Sequence, residues 1–279
     1  MSKILVFDID GTLLNSSHQI NKSTFVAIKY AKSLGVKIIF CSGRPYFDME
    51  HIQTQYQIAD YMVCNNGAYW YDVKHNKFYF KKIIDKEIAL QAIQYGQEFC
   101  ALLALHTEKA TYRTKLCDEK IMPNWFKDAL QEEKIMFFDR YNFSLSKILQ
   151  KLETYKIMQV AFRLDKEGAK QLAKTMKNNF GKKVDIYIAN EVYVDLNPRD
   201  VNKFTGLQNL CQTLNYDIKH LVAFGDSGND LQMLKYVGHG ICMGNGTNEA
   251  KKAAKEVIGD NDSNAIADKI YELMNEMFT

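Results

Sequence analysis

Apolar and polar residues alternate along this chain with two different periods. Mostly apolar runs of strand length, with Asp8, Lys37 and His220 the exceptions, occupy 4–8, 36–41, 61–64 and 220–224, and stretches with apolar residues three or four apart lie at 22–34, 203–214 and 229–236. A continuous apolar strand is buried on both faces, and its alternation with amphipathic helices predicts a parallel sheet with helices wound on both sides. Gly35 closes the first helix. Residues 68–73 and 77–83, joined through Lys74-His75-Asn76, predict a hairpin whose alternating aromatics serve packing.

From Asp85 onward the order changes. Helices are expected near 85–99, 144–155 and 166–179, and strands near 101–106, 110–114, 156–163 and 184–188, a mixture that predicts an α+β module. Alternation resumes with strands 191–196 and 239–242 and helices 247–255 and 264–276. The expected division is a doubly wound α/β core of 1–84 and 189–279 interrupted by an inserted α+β domain of 85–188, with crossings near Ile84-Asp85 and Ala189-Asn190.

Chemistry concentrates where the core strands end. The first runs into Asp8-Ile9-Asp10-Gly11-Thr12, and the strand 220–224 runs into Gly225-Asp226-Ser227-Gly228-Asn229-Asp230. In an open α/β sheet the crevice outside the carboxyl ends of the strands is where ligands bind, so these acids face a ligand. Two carboxylates this close repel, and a divalent metal, a shared proton or a split of roles between an ionised and a protonated acid would relieve them. Oxygen-only ligands suit a hard cation such as Mg2+. The strand 36–41 ends in Ser42-Gly43-Arg44-Pro45, which offers a hydroxyl, a backbone N–H and a guanidinium in one turn, a cradle for phosphate. Lys203 stands at a helix start after Pro198, where a cation could neutralise a phosphoryl group.

Together, Asp8-x-Asp10-Gly11-Thr12, the Ser42-Gly43-Arg44-Pro45 turn, Lys203 and Gly225-Asp226-x-x-Asn229-Asp230 resemble the four motifs of the haloacid dehalogenase superfamily in chain order. Asn65-Asn66-Gly67-Ala68 and Met243-Gly244-Asn245 are similar to its Cof-type branch of phosphatases. The resemblance implies a Rossmann-like core with an inserted cap of the C2 type that folds over the site. It implies Asp8 as nucleophile, Asp10 as acid and base, and Ser42 and Lys203 as holders of the phosphoryl group. Mg2+ would be held by Asp8, the Asp10 carbonyl and Asp226, with Asp230 behind them fixing Lys203 or a metal-bound water. Gly43, Arg44, Asn66 and Asn229 are the expected substrate contacts, and Tyr112 and Arg113 are candidates in the cap. Four positions depart from the branch: Phe204 replaces its usual Gly, Gly246 an Ala, and Asn264-Ala265 an acid-Gly pair.

The implied activity is Mg2+-dependent hydrolysis of small phosphorylated metabolites, sugar phosphates or similar phosphomonoesters, through an aspartyl-phosphate. A phosphomutase using the same intermediate, or a non-catalytic sensor of a phosphorylated ligand, are the alternatives. An acid at position 10 argues against the transporting ATPases of the superfamily, as does the lack of any run of roughly 18–20 apolar residues.

Composition narrows the partners. The 279 residues are 47% hydrophobic and 25% charged, with a net charge of +3, the balance of an ordinary globular chain. The basic residues do not cluster, and a pI of about 8.3 falls short of the value above about 9 expected of a nucleic-acid face. The six histidines lack zinc spacing, and the cysteines at 41, 64, 100, 117, 211 and 242 form no Cys-x-x-Cys pair. With no signal peptide pattern at the start, a reducing, cytoplasmic setting and a monomer or homodimer without nucleic-acid or membrane partners are expected.

Overall fold

The computed structural model of the chain describes residues 4–80, 82–116, 143–189 and 191–276. Cys117 and the crossing expected at Asn190 lie outside them. Two compact units emerge, one of Met1–Lys81 with Asn202–Thr279 and the other of Lys82–Val201.

The first unit contains strands β1 (Ile4–Phe7), β2 (Lys37–Cys41), β3 (Tyr61–Cys64), β4 (Tyr69–Asp72) and β5 (Lys77–Phe80), with helices α1 (Lys22–Ser33) and α2 (Tyr46–Tyr56) between them. The second unit supplies α3 (Lys86–Glu98), β6 (Leu102–Thr107), β7 (Thr111–Lys115), α4 (Leu145–Thr154), β8 (Ile157–Arg163), α5 (Lys166–Phe180), β9 (Val184–Ala189) and β10 (Tyr193–Pro198). The first unit resumes with α6 (Lys203–Leu214), β11 (Leu221–Gly225), α7 (Leu231–Tyr236), β12 (His239–Cys242), α8 (Asn248–Ala253), β13 (Glu256–Val257) and α9 (Ala265–Asn275).

Its sheet runs β13-β12-β11-β1-β2-β3-β4-β5, parallel except for the β4 and β5 hairpin. Strand alternation divides the apolar residues between two faces. Ile4, Val6, Ile39, Cys41, Val63, Leu221 and Ala223 share one buried cluster with Leu207, Leu210 and Cys211 of α6 and Met233 of α7. The alternate residues Leu5, Phe7, Ile38, Phe40 and Phe224 are buried on the other face, where Phe7 and Phe224 stack at 4.9 Å. The hairpin aromatics pack as expected: Trp70 lies flat on Tyr79 at 3.9 Å and its indole N–H donates to Asn209 at 3.0 Å. No helix among the described residues is long and apolar enough to cross a membrane.

In the second unit a five-stranded sheet, β7-β6-β8-β10-β9, packs one face on α3, α4 and α5 through Leu103, Leu105, Val160, Phe162, Val194 and Leu196. Here the structure departs from the sequence reading, which sends the chain back to the first unit before the strand at 191–196. That strand is β10, paired antiparallel with both β8 and β9, so the core resumes only at Asn202. Glu191, at φ 61°, helps reverse the chain into a hairpin that mimics a strand-helix boundary when only local pattern is read. The other crossing also falls earlier than expected, at Lys81 and Lys82, because Ile84 already bridges Ile157 and donates to its carbonyl at 2.8 Å.

Asp195 sits on β10 between Val194 and Leu196, on the opposite face of the strand from the apolar cluster. Burial alone pushes its carboxyl up to about 7. A carboxyl with a folded pKa above its unfolded value binds its proton more tightly when folded, so stability falls as pH rises from about 4 to about 7. Asp195→Asn is therefore expected to raise the unfolding free energy by roughly 1–3 kcal/mol at pH 8 and not at pH 4, in urea titrations at both values.

Candidate active site

The parallel sheet places the ends of β1, β2, β3 and β11 at one edge. Asp8 continues the alternation of Ile4 and Val6 and so faces α6. On α6, Lys203 lies one turn before Leu207, which belongs to the same cluster, so strand and helix periods converge on a contact. The Lys203 ammonium, 1% exposed, donates to Asp8 Oδ1 at 2.5 Å and to Asp230 Oδ1 at 2.6 Å. Asp230 Oδ2 accepts the backbone N–H groups of Asp226 and Ser227, both at 3.0 Å. One carboxylate thus shapes the turn after β11 while holding the lysine.

Thr12 Oγ1 donates to Asp226 Oδ1 at 3.0 Å. Gly11, at φ +75°, is the only residue type that fits there, since a Cβ would lie 2.6 Å from Asp226 Oδ2. Asn245 Nδ2 steadies the same turn by donating to the Gly11 carbonyl at 2.8 Å.

Burial, reinforced by Asp230, pushes the Asp8 carboxyl well above the ordinary range against the pull of Lys203, and burial with Asp230 raises Asp226 too. Burial pulls the Lys203 ammonium down, but Asp230 and Asp8 outweigh it and hold the ammonium above its usual value. Asp8, Asp226 and Asp230 each offer an oxygen within 4.8 Å of the others. Three carboxylates against one ammonium leave a net −2 when all are ionised, and burying that charge without a counterion is costly. A dication fits the deficit and the all-oxygen donor set suits a hard one. Asp230 already accepts from Lys203 and two amides, so Asp8 and Asp226 have more acceptor capacity left for it.

Asp10 stands apart from this buried cluster. Its side chain is 49% exposed and is gripped by both arms of Arg44, Nε to Oδ2 at 2.7 Å and a terminal nitrogen to Oδ1 at 2.5 Å. Ser42 is buried at the end of β2, where its hydroxyl accepts the Arg44 N–H at 3.1 Å and its carbonyl accepts the Asn66 N–H at 3.0 Å. Asn66 in turn accepts from Asn229 Nδ2 at 3.1 Å, and a Cβ on Gly43 would meet Asn66 Oδ1 at 3.2 Å.

The structure therefore gathers Asp8, Asp226, Asp230 and Lys203 in one cluster, pairs Asp10 with Arg44, and brings Gly43, Asn66 and Asn229 together. Tyr112 is a correction. It is buried in the apolar cluster of the second unit, edge-on to Phe143 at 5.2 Å, because β7 turns it toward the helices. Arg113 projects from the opposite face of β7. Sequence reasoning gave no role to Thr12, Gly67, Gly206 or Asn245; the hydroxyl two residues past Asp10 was the signal available for the first.

The model of the haloacid dehalogenase-like hydrolase family matches residues 5–270. An HMP-PP phosphatase of Serratia proteamaculans is 28% identical over 273 residues, covering 96% of this chain and 93% of its own. Among solved structures, the phosphatase BT1666 from Bacteroides thetaiotaomicron superposes with a TM-score of 0.80 at 22% identity, over 98% of this chain and 95% of that one. The subclass IIB sugar phosphatase BT4131 does so at 0.78 and 21%, over 98% and 99%. These structural likenesses bear out an α/β fold with a parallel sheet and an inserted α+β unit.

Proposed function

The chain belongs to the haloacid dehalogenase-like hydrolases, and on that premise we propose that it is a Mg2+-dependent phosphatase of small phosphorylated metabolites, sugar phosphates or similar phosphomonoesters. One observation carries the reading: the buried Asp8, Lys203 and Asp230 bridge beside Asp226 at the carboxyl edge of the sheet. The named phosphatase activities of its relatives support it.

Asp8, held in place by Lys203, is the carboxylate that attacks phosphorus. The bond to the leaving oxygen breaks as the Asp10 carboxyl delivers its proton there, and Asp8 carries the phosphoryl group. Water then attacks phosphorus, Asp10 takes its proton, the bond to Asp8 breaks and inorganic phosphate departs. Lys203 and the Ser42 hydroxyl stabilise the transferring oxygens, and the Asp8, Asp226 and Asp10 carbonyl oxygens would hold Mg2+, which supplies charge neutralisation as a Lewis acid. Arg44 has to trade Asp10 for substrate before Asp10 can act, so its grip favours the resting state. The inserted unit is the cap of this reading. Cys41, Cys64, Cys211 and Cys242 are reduced thiols, which fits a reducing, cytoplasmic setting.

The test is phosphate release from an aryl phosphate and a panel of metabolite phosphates, with Mg2+ and with EDTA. Release that requires Mg2+ is expected; no release by folded protein on any substrate overturns the reading.

A further inference from the structure

Two motif segments of the sequence meet at a point the mechanism above leaves unused. Asn65, Asn66 and Gly67 follow β3 with φ values of 47°, 52° and 98°, three consecutive residues in the left-handed region. Asparagine tolerates this region as a single residue, but three such residues in a row are unfavourable, so packing around the turn has to enforce it. What it packs against is the first turn of α6. A Cβ on Gly67 would lie 2.3 Å from the Asn202 carbonyl oxygen and 3.0 Å from the Gly206 nitrogen. From the helix side, a Cβ on Gly206 would lie 2.5 Å from Gly67 Cα and 2.8 Å from Val63 Cγ1. Helix and turn touch backbone to backbone.

Gly206 sits inside a helix, where alanine is the better helix former and glycine needs a packing reason. The reason lies one turn back. Asn202 caps α6, accepting the Thr205 N–H at 3.0 Å while Thr205 Oγ1 accepts the Asn202 N–H at 3.1 Å, and Lys203 is the first helical residue. The turn touches α6 at the Asn202 carbonyl of the cap and at Gly206, and Lys203 lies between them. Its side chain spans the remaining distance to Asp8 and Asp230 with hydrogen bonds of 2.5 and 2.6 Å, which leave no slack.

We propose that the Gly67–Gly206 backbone contact is a positioning device that sets how far Lys203 reaches over Asp8. Gly67 and Gly206 are positioning residues and touch no substrate. The strained turn is the fixed stop, the capped first turn of α6 rests on it, and any side chain at the contact lifts the lysine off its carboxylates. This proposal rests on the phosphatase reading for its kinetic consequence but not for its geometry.

The experiment is a crystal structure and steady-state kinetics of Gly206→Ala beside wild type, with Leu210→Ala as a control that opens a cavity farther along the same helix. Gly206→Ala is expected to lengthen the Lys203 contacts to Asp8 and Asp230 beyond hydrogen-bond reach and to lower kcat at least about 10-fold with a small change in Tm. Leu210→Ala is expected to lower Tm more while keeping kcat within about twofold. Both lysine contacts retained in Gly206→Ala, or equal kcat losses in the two variants, overturns the proposal. If Gly206→Ala alone does not fold, Val63→Ala combined with Gly206→Ala removes the methyl that the new side chain meets and carries the same measurements. Wild type without phosphatase activity defeats the functional reading, and the crystallographic distances then decide this proposal alone.

Discussion

Lys203→Met will lose both turnover and fold stability, and the stability loss will grow with pH. The substitution fills the space of a side chain that is 1% exposed but removes the cation shared by Asp8 and Asp230, leaving three buried or half-buried carboxylates with no ammonium. Breaking a buried pair from one side strands the other charge, at a typical cost of about 3–5 kcal/mol. The pH dependence follows from Asp8. Burial and Asp230 already raise its carboxyl, and Lys203 is the group that pulls it back. Without that pull the folded-state value rises further above the unfolded one. The folded protein then binds the proton more tightly than the unfolded chain, and stability drains away as pH climbs through the interval between the two values. Urea unfolding in EDTA at pH 5 and pH 8 checks this, with the larger deficit expected at pH 8. Added Mg2+ should restore part of the loss at pH 8, since a ligand of the folded state stabilises by mass action. A deficit equal at both pH values would mean that the carboxylates do not titrate against the lysine.

Legibility from sequence divides along the same lines as locality. The strand ends at Asp8, Ser42 and Asp226 are visible because an apolar run of strand length that breaks into turn residues is a local pattern. The approach of Lys203 to Asp8 is not local. It depends on α6 packing on β1 through Leu207 and Val6, two residues about 200 positions apart, and only the family resemblance points to it. The Arg44 grip on Asp10 was invisible for a different reason: both side chains are long or exposed and their pairing is set by rotamers. Gly206 shows the limit from the other side, because a glycine inside a helical pattern announces a close neighbour without naming it. The misplaced strand β10 and the misread Tyr112 share one cause. Alternation says that a strand has two faces but not which sheet owns it or which face is covered, and the antiparallel pairing of β10 with β8 and β9 settled both.

Asp8→Asn separates the chemistry of the cluster from its electrostatics. The amide oxygen can still accept from Lys203, so the 2.5 Å contact has a successor, and Asp230 keeps its own hydrogen bonds to the lysine and to the Asp226 and Ser227 amides. One of three like charges is gone, so the metal-free cluster falls from a net −2 to −1 and part of the burial cost with it. The variant should therefore be at least as stable as wild type in EDTA at pH 8, the opposite of Lys203→Met. Its phosphate release should nonetheless fall by about three orders of magnitude or more, since a neutral amide cannot attack phosphorus. The thermal shift on adding Mg2+ should shrink as well, because the site has lost an anionic ligand. Circular dichroism melts with and without Mg2+, run beside phosphate-release assays, read all three effects. Turnover within tenfold of wild type would remove Asp8 from the role of nucleophile, whereas turnover still lost at Mg2+ concentrations that restore the full thermal shift, in a variant as stable as wild type, assigns the loss to the attacking oxygen.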